Sequence, residues 1–347
     1  MKINQLDLFS GIGGFHLGFE RAGYEVQSYF SEIDQHAIAV YKHQFKDSKY
    51  VGAVRDVRGA DLPNIDLITF GSPCQDFSLA GRRKGMEGER SVLILEAIRL
   101  IKECRPRAFV WENVKGTFSS NDGADFAAIL QAFTNIGGYR LEWELLNTSW
   151  FLPQNRERIY LVGYSTTPKG DWRGVFPIGE ESRENTKLPK HNLKTHTILQ
   201  RYEAATANGS YISECELPPQ KVKVKSGTKC GYEIATEGDS ISLVQESSTR
   251  RGRVGKKKAQ TIQPTSNQGV IQLDTKYTYE AVNRIRRLTP IECERLQGFP
   301  DNHTEYGNYD GVIKKMSNTQ RYKQCGNAVT VVVVQAVAQK MKYIYEH

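Results

Sequence analysis

The stretch Phe9-Ser10-Gly11-Ile12-Gly13-Gly14-Phe15 governs how the rest of the chain is read. It follows a candidate strand from Gln5 to Phe9 and precedes a segment of helical period from Phe15 to Ala22. Its glycines let the backbone turn sharply and approach a ligand, and the helix that follows offers unpaired N–H groups in its first turn. Strand, glycine turn and helix in that order open an α/β unit suited to a nucleotide-like cofactor. A plain tight turn is the alternative. The spacing departs from the dinucleotide pattern G-x-G-x-x-G, because His16 stands where the third glycine belongs.

Outward from this turn, short β-branched and aromatic runs alternate with helical segments to about Gly163, the pattern of an α/β domain with a mostly parallel sheet. Further candidate strands are Val26 to Ser31, Ile65 to Phe70, Ala108 to Trp111, Tyr139 to Asn147 and Arg158 to Tyr164. Ser91 to Glu103 reads as a helix with Leu93, Ile94, Ala97, Ile98 and Ile101 on one face. Too little chain separates the last two strands for a crossover helix, so they are expected to pair as an antiparallel hairpin.

Several chemically capable groups fall at the carboxyl ends of these strands, where ligands of open α/β sheets bind. Glu32 ends the second strand and suits ribose hydroxyls; Asp56, beyond Val54, suits an amino group, and either could instead cap a helix. Ile65 to Phe70 runs into Gly71-Ser72-Pro73-Cys74-Gln75, which puts a cysteine in a stiff loop at that edge, though an isolated cysteine is more often a small buried hydrophobe. The fourth strand brings Glu112 to the same edge. Arg156 and Arg158, at alternate positions of the expected hairpin, suit a phosphate or a base carbonyl.

The 347 residues suffice for one large unit and a smaller one, and the formal net charge of +8 favours a polyanionic partner, nucleic acid or membrane surface. The six cysteines include no C-x-x-C pair, which fits reduced thiols and no zinc site. No secretory-type leader is evident and no apolar run is long enough to span a bilayer, so a cytoplasmic location without membrane association is expected. After Ser165 the composition turns to Pro, Gly, Ser, Asn and Lys, with no sustained period to about Thr278. Within that region Lys221 to Lys258 carries ten basic residues, Arg250, Arg251 and Arg253 among them, against four acidic ones. A solvated face is the plain reading of such a run; a nucleic-acid surface is the sharper one. Order returns past Tyr279, where Thr289-Pro290 opens a short helix through Arg295, and the chain ends in an apolar segment from Val329 to Ile344.

Taken together, the blocks DLFSGIGGFHLGFERAG, GSPCQDFS, ENV, QNRERIYLVG, RRLTPIECERLQGFPD and QCGNAV resemble the cytosine-carbon-5 DNA methyltransferase family, of the bacterial or phage type associated with restriction–modification. The blocks occupy residues 7 to 163 and 286 to 329; the stretch from Tyr164 to Ile285 has no match and lies where the family carries its variable target-recognition region. The resemblance implies a Rossmann-like, class I S-adenosylmethionine-dependent methyltransferase domain with a mixed, mostly parallel sheet and an antiparallel hairpin. Residues 1–180 and 318–347 would form it, and 181–317 a smaller irregular target-recognition domain. It implies S-adenosyl-L-methionine as cofactor, with Phe9, Gly11, Gly13, Glu32, Asp56, Pro73 and Asn327 around it. Cys74 would be the nucleophile, Glu112 the group at ring nitrogen 3, and Arg158 with Arg156 the carbonyl and phosphate ligands.

Residues 76–90 have the composition of a mobile basic loop, and the resemblance puts Ser78, Arg82 and Arg83 on the DNA, joined by Arg250, Arg251 and Arg253 from the recognition region. The expected partner is double-stranded DNA, bound by a monomer, with a companion restriction endonuclease acting separately. Three competing readings are a transfer-RNA methyltransferase of the same family, a DNA-binding protein on a dead scaffold, and a nicotinamide-dependent oxidoreductase. The last leaves Cys74, Glu112 and the two arginines without a purpose, and the second requires a lost catalytic position.

Overall fold

A computed structural model describes residues 1–71, 91–165, 173–178, 222–225, 230–236, 238–242, 254–260, 268–274 and 282–346. The larger unit is built on β1 (Lys2–Leu8), α1 (Gly14–Arg21), β2 (Glu25–Ser31), α2 (Gln35–Gln44), β3 (Lys49–Tyr50), β4 (Leu67–Phe70), α3 (Ser91–Cys104) and β5 (Ala108–Val114). There follow α4 (Gly116–Ser119), α5 (Ala124–Thr134), β6 (Tyr139–Asn147), β7 (Gln154–Asn155) and β8 (Glu157–Ser165). Seven strands form one sheet in the order β3-β2-β1-β4-β5-β8-β6. The first five run parallel, whereas β8 is antiparallel to both β5 and β6. The β6–β8 pair is the hairpin expected from the short connection, in register from Tyr139 opposite Ser165 to Asn147 opposite Glu157.

Strand alternation divides the core between the two faces of the sheet. Leu6, Leu8, Ile68, Phe70, Phe109, Trp111 and Leu161 pack with Ile94, Ala97, Ile98 and Ile101 of α3 and Phe126, Ile129 and Phe133 of α5. On the other face Ile3, Leu67, Ala108, Val110 and Val162 meet Phe15 and Phe19 of α1 and a valine-rich C-terminal helix. That helix is α8 (Val331–Lys340), preceded by α6 (Pro290–Leu296), β16 (Tyr306–Tyr309), β17 (Val312–Lys315) and α7 (Asn318–Asn327). Four consecutive valines have poor helix propensity, but every residue from Val331 to Ala338 is buried, and burial of the whole surface outweighs tenths of a kcal/mol of propensity per residue.

The helices α2, α5 and α7 escaped the sequence reading, as did the short α4. In α2 the apolar stripe is diluted by polar residues, and its start is signalled only by Asp34, which caps it by accepting the N–H of His36 at 2.9 Å. In α5 the cap residue is Gly123, with no side-chain cap hydrogen bond. The region read as irregular contains antiparallel strands: β9 (Val222–Lys225) with β10 (Tyr232–Ala235), and a sheet ordered β12-β11-β14-β15 from β11 (Ser240–Ser242), β12 (Val254–Gly255), β14 (Gln268–Asp274) and β15 (Val282–Arg287). These strands are short and mix charged with apolar residues, so no sustained period marks them. One further strand, β13 (Ala259–Gln260), pairs parallel with β7 of the larger unit. Residues 299–316, assigned in sequence to the smaller unit, pack on α2: Phe299 and Met316 cluster with Ala37 and Val40, and Tyr309 Oη lies 2.6 Å from His36 Nδ1. Among the described residues no helix is long and apolar enough to cross a membrane.

The contact of α1 with α8 is close enough to fix a residue type. A Cβ on Gly18 would lie 2.4 Å from Val334 Cγ1 and 3.2 Å from the Val331 carbonyl. Alanine in place of a mid-helix glycine ordinarily gains about 1 kcal/mol, while overpacking a core costs about 1–3 kcal/mol. The clash is expected to win: Gly18→Ala should lower stability by about 1–2 kcal/mol in urea titration, with an unchanged slope.

Candidate active site

Beyond β1 the backbone turns left-handed at Phe9 (φ 52°), Gly11 (φ 54°) and Gly13 (φ 82°). A non-glycine residue in that region is strained, and such strain concentrates at functional sites. Glu32, just past β2, holds the turn: its carboxylate accepts the N–H of Gly11 at 2.9 Å, of Ile33 at 2.7 Å and of Asp34 at 3.0 Å. A Cβ on Gly13 would meet the Phe45 ring at 2.3 Å, whereas one on Gly11 meets nothing within 4 Å. Gly13 is therefore required by packing, and Gly11 borders open space. Ser10 Oγ is buried with no hydrogen-bond partner among the described residues. An unpaired buried hydroxyl beside open space fits a ligand with polar groups, as S-adenosylmethionine has.

The position of the missing third glycine has its own chemistry. His16 stacks on Phe45 at 3.9 Å, with Nδ1 3.1 Å from Tyr41 Oη and Nε2 3.1 Å from Glu20. Tyr41 Oη in turn lies 2.7 Å from Ser28 Oγ and 3.4 Å from Asp7, whose other oxygen accepts from Thr69 Oγ1 at 2.7 Å. A polar network thus runs beneath the loop from β1 to α2.

Glu112 and Arg158 meet at the carboxyl edge of the sheet. Glu112 lies in β5 rather than beyond it, because that strand continues to Val114, and it is 8% exposed. Arg158 Nε approaches its Oε1 at 3.1 Å, but that oxygen accepts no well-aligned hydrogen bond among the described residues. Gly71 lies against the same carboxylate; a Cβ there would be 3.2 Å from Glu112 Oε2. Arg156 takes a different course from Arg158. It is 4% exposed and donates to the Ala328 carbonyl at 2.8 Å and the Gly326 carbonyl at 3.5 Å, tying the hairpin to the turn after α7. Asn327, between those carbonyls, is exposed. Val329 then touches both loops of the site, since its side chain would meet a Cβ on Gly14 at 2.6 Å and one on Gly71 at 4.0 Å. Asp56 is exposed on a turn beyond β3.

The structure therefore brings Glu32, just past β2, against the loop of Phe9, Gly11 and Gly13 beyond β1, and Glu112, Arg158, Arg156 and Asn327 to the neighbouring edge. Pro73, Cys74, Ser78, Arg82, Arg83, Arg250, Arg251 and Arg253 lie outside the described residues. Burial pushes the Cys104 thiol up to about 11 and Cys293 to about 12, with Cys325 also raised, so none of these three is poised as a thiolate near neutrality. Ile33 was missed in sequence. It is apolar yet 81% exposed beside Glu32, and an apolar residue directly after a carboxylate at a strand end was its only signal.

A family profile for C-5 cytosine-specific DNA methylases matches residues 3–343. Among curated relatives, the Type II methyltransferase M1.ScrFI of Lactococcus lactis subsp. cremoris is 32% identical over 349 residues, covering 99% of this chain and 79% of its own length. Type II methyltransferase M.Bsp6I of Bacillus sp. is 31% identical, with 96% of each covered. In fold, the crystal structure of the S. pombe Dnmt2 methyltransferase superposes with a TM-score of 0.62 at 17% identity, covering 99% of both chains. The chain belongs to the C-5 cytosine-specific DNA methylases and is an enzyme of the DNA (cytosine-5-)-methyltransferase class.

Asp7, at the base of the loop network, supplies a pH test. Burial pushes its carboxyl up to about 8, against the opposing hydrogen bonds from Thr69 and Tyr41. Because the folded value lies above the unfolded one, the stability this group contributes is complete below about pH 4 and is lost as pH rises through about 8. Asp7→Asn carries no charge at any pH, so its stability relative to wild type should rise between pH ~5 and pH ~8.5 in urea titrations. A constant difference would mean that Asp7 is ionised throughout.

Proposed function

We propose that the chain uses S-adenosylmethionine to methylate carbon 5 of a flipped-out cytosine in double-stranded DNA, at a specific sequence, through a covalent bond from Cys74. The observation that carries this reading is the Glu112–Arg158 pair at the carboxyl edge, joined through Val329 to the strained glycine loop. Carbon 5 of cytosine is a weak nucleophile. Addition of the Cys74 thiolate to carbon 6 makes it an enamine, while Glu112 holds a proton or hydrogen bond at ring nitrogen 3 and Arg158 holds the ring carbonyl. Bound S-adenosylmethionine supplies the electrophilic methyl group. Loss of the carbon 5 proton then lets the thiolate leave. Asn113 Oδ1 already accepts from Val114 N–H at 2.8 Å and Thr117 Oγ1 at 3.1 Å, which favours water as the base for that proton. Arg156 acts behind the site by holding the Gly326–Ala328 turn, from which exposed Asn327 reaches the methionine end.

For the cofactor, Phe9, Gly11 and Gly13 give the close backbone approach, Glu32 retains lone pairs for ribose hydroxyls, and Ile33 offers an apolar face to the adenine. Asp56 reaches the adenine amino group, and Pro73 is carried over from the family motif. The Type II relatives favour a restriction–modification role with a separate endonuclease. Packing of residues 299–316 on α2 favours giving that segment to the catalytic unit rather than to the recognition domain.

The covalent step has a direct test. DNA carrying 5-fluorocytosine cannot lose its carbon 5 substituent, so it should accumulate as a denaturation-resistant adduct on the peptide containing Cys74, already methylated. Cys74→Ser should form none. An adduct at another cysteine, or methylation of transfer RNA but not of duplex DNA, would overturn the reading.

The recognition side offers a second test. The β13–β7 pairing, with Ala259 N–H donating to the Pro153 carbonyl at 2.7 Å, docks the Gly255–Lys258 turn beside the strand that leads to Arg158. That turn is braced from below, Lys256 Nζ reaching buried Asp239 at 2.8 Å and the Ile234 carbonyl at 2.6 Å, while Lys257 and Lys258 are exposed. If both contact phosphates, Lys257→Gln/Lys258→Gln should reduce the salt dependence of duplex binding by roughly 2 in log–log slope. An unchanged slope removes the turn from the interface.

A further inference from the structure

One side chain from the far end of the sequence reaches into the middle of the glycine loop. His303 Nε2–H donates to the Ile12 carbonyl at 2.9 Å, across 291 residues. The imidazole is 3% exposed and packs at 4.5 Å from the Phe299 ring. Burial holds it near a value of about 4, so it is neutral at physiological pH and offers one N–H donor. Its backbone is fixed by a separate device. Glu294 of α6, fully buried, accepts the N–H of Asn302 at 2.8 Å and of Thr304 at 2.9 Å, the residues on either side of His303. Arg321 of α7 neutralises Glu294 at 2.9 Å and also donates to Thr304 Oγ1 at 3.0 Å. A buried charge pair costs desolvation on both partners, and this one is arranged around a three-residue turn whose middle residue touches the loop.

We propose that His303 is a positioning residue for cofactor binding. By fixing the Ile12 carbonyl it sets the left-handed turns at Gly11 and Gly13, and so aims the free N–H groups and Ser10 Oγ of the loop at the ligand. Ile12 is itself buried between the two left-handed glycines, so a rotation of its peptide reorients both. The proposal rests on the reading of residues 9–14 as the S-adenosylmethionine loop.

The test uses the full-length protein and two variants. His303→Phe keeps the ring and its stacking on Phe299 but lacks the donor; His303→Gln restores an N–H at similar reach. Removing one partner of a buried hydrogen bond should weaken S-adenosylmethionine binding about tenfold in calorimetry. The Michaelis constant for the cofactor should rise in proportion, with kcat within about twofold and duplex affinity unchanged. His303→Gln should recover most of the loss. Amide exchange in peptides covering residues 9–19 should quicken in His303→Phe with no ligand present. Cofactor affinity within twofold of wild type, or an equal loss of DNA affinity, would show His303 to be a general brace and overturn the proposal. Wild type that binds no S-adenosylmethionine would instead overturn the cofactor reading, and the exchange measurement would still decide whether His303 orders the loop. A His303→Phe variant that does not fold leaves His303→Gln and its exchange pattern to decide: loop protection no different from wild type supports the proposal, and loss of it despite the restored donor overturns it.

Discussion

Three backbone N–H groups converge on the carboxylate of Glu32, and the geometry of the site depends on that convergence. The donors come from two loops, Gly11 after β1 and Ile33 and Asp34 after β2, so a single side chain joins the ends of two adjacent parallel strands. Parallel pairing alone aligns strands but leaves the loops beyond them without ladder partners. A charged acceptor, whose hydrogen bonds are roughly twice as strong as neutral ones, supplies the missing restraint where a left-handed turn would otherwise open. The same oxygens retain lone pairs, so in the proposed reading one group both builds the loop and receives the ribose hydroxyls.

A second constraint follows from chain order. The carboxyl edge that holds Glu112 and Arg158 is assembled from β5, β8 and the turn between α7 and α8, the last of these separated from β8 by more than a hundred residues of intervening chain. Arg156 closes this gap with the Ala328 carbonyl, and Thr148 Oγ1 meets Thr330 Oγ1 at 3.0 Å. These are polar ties inside an otherwise apolar layer. Valine side chains around them would bury as much surface but would tolerate sliding of α8 along the sheet. A directional hydrogen bond does not, and the Glu112–Arg158 pair needs its neighbours held to within fractions of an ångström.

What was legible in the sequence follows from which interactions are local. The glycine turn, the β6–β8 hairpin and α3 each declare themselves within about twenty residues through period, turn chemistry and connection length. The position of Glu112 was legible for the same reason, because an apolar strand aims its last residues at one edge. Three features were not. Val331 to Val334 has the composition of a strand, so its residues alone do not declare the final helix that the family resemblance implied; it is helical because it is buried on all sides. Arg156 and Arg158 look equivalent at alternate positions, and only the distant carbonyls of Gly326 and Ala328 separate their roles. His303 sits in an unremarkable turn, and its partner Ile12 carries no side-chain signal, since the acceptor is a backbone carbonyl.

The helix α6 gathers these distant pieces, and its polar character explains why. Gln297, at its C-cap and fully buried, donates to the Cys325 carbonyl at 2.7 Å and accepts from Thr330 Oγ1 at 2.9 Å, while Gln154 Nε2 reaches the Leu296 carbonyl at 2.8 Å. Arg21 of α1 donates to the Gly298 carbonyl at 2.5 Å. One short helix is thus fastened to α1, to the start of the β7–β8 arm, and to both sides of the turn that carries Asn327. It begins three residues after β15, the last strand of the smaller four-stranded sheet. The chain that leaves β15 therefore enters a helix tied to the arm that leads to Arg158 and, through Arg21, to the helix that follows the glycine loop. Breaking any one of these bonds would leave a buried polar group unpaired at a cost of about 1–3 kcal/mol, which is why the distant pieces keep one arrangement around α6.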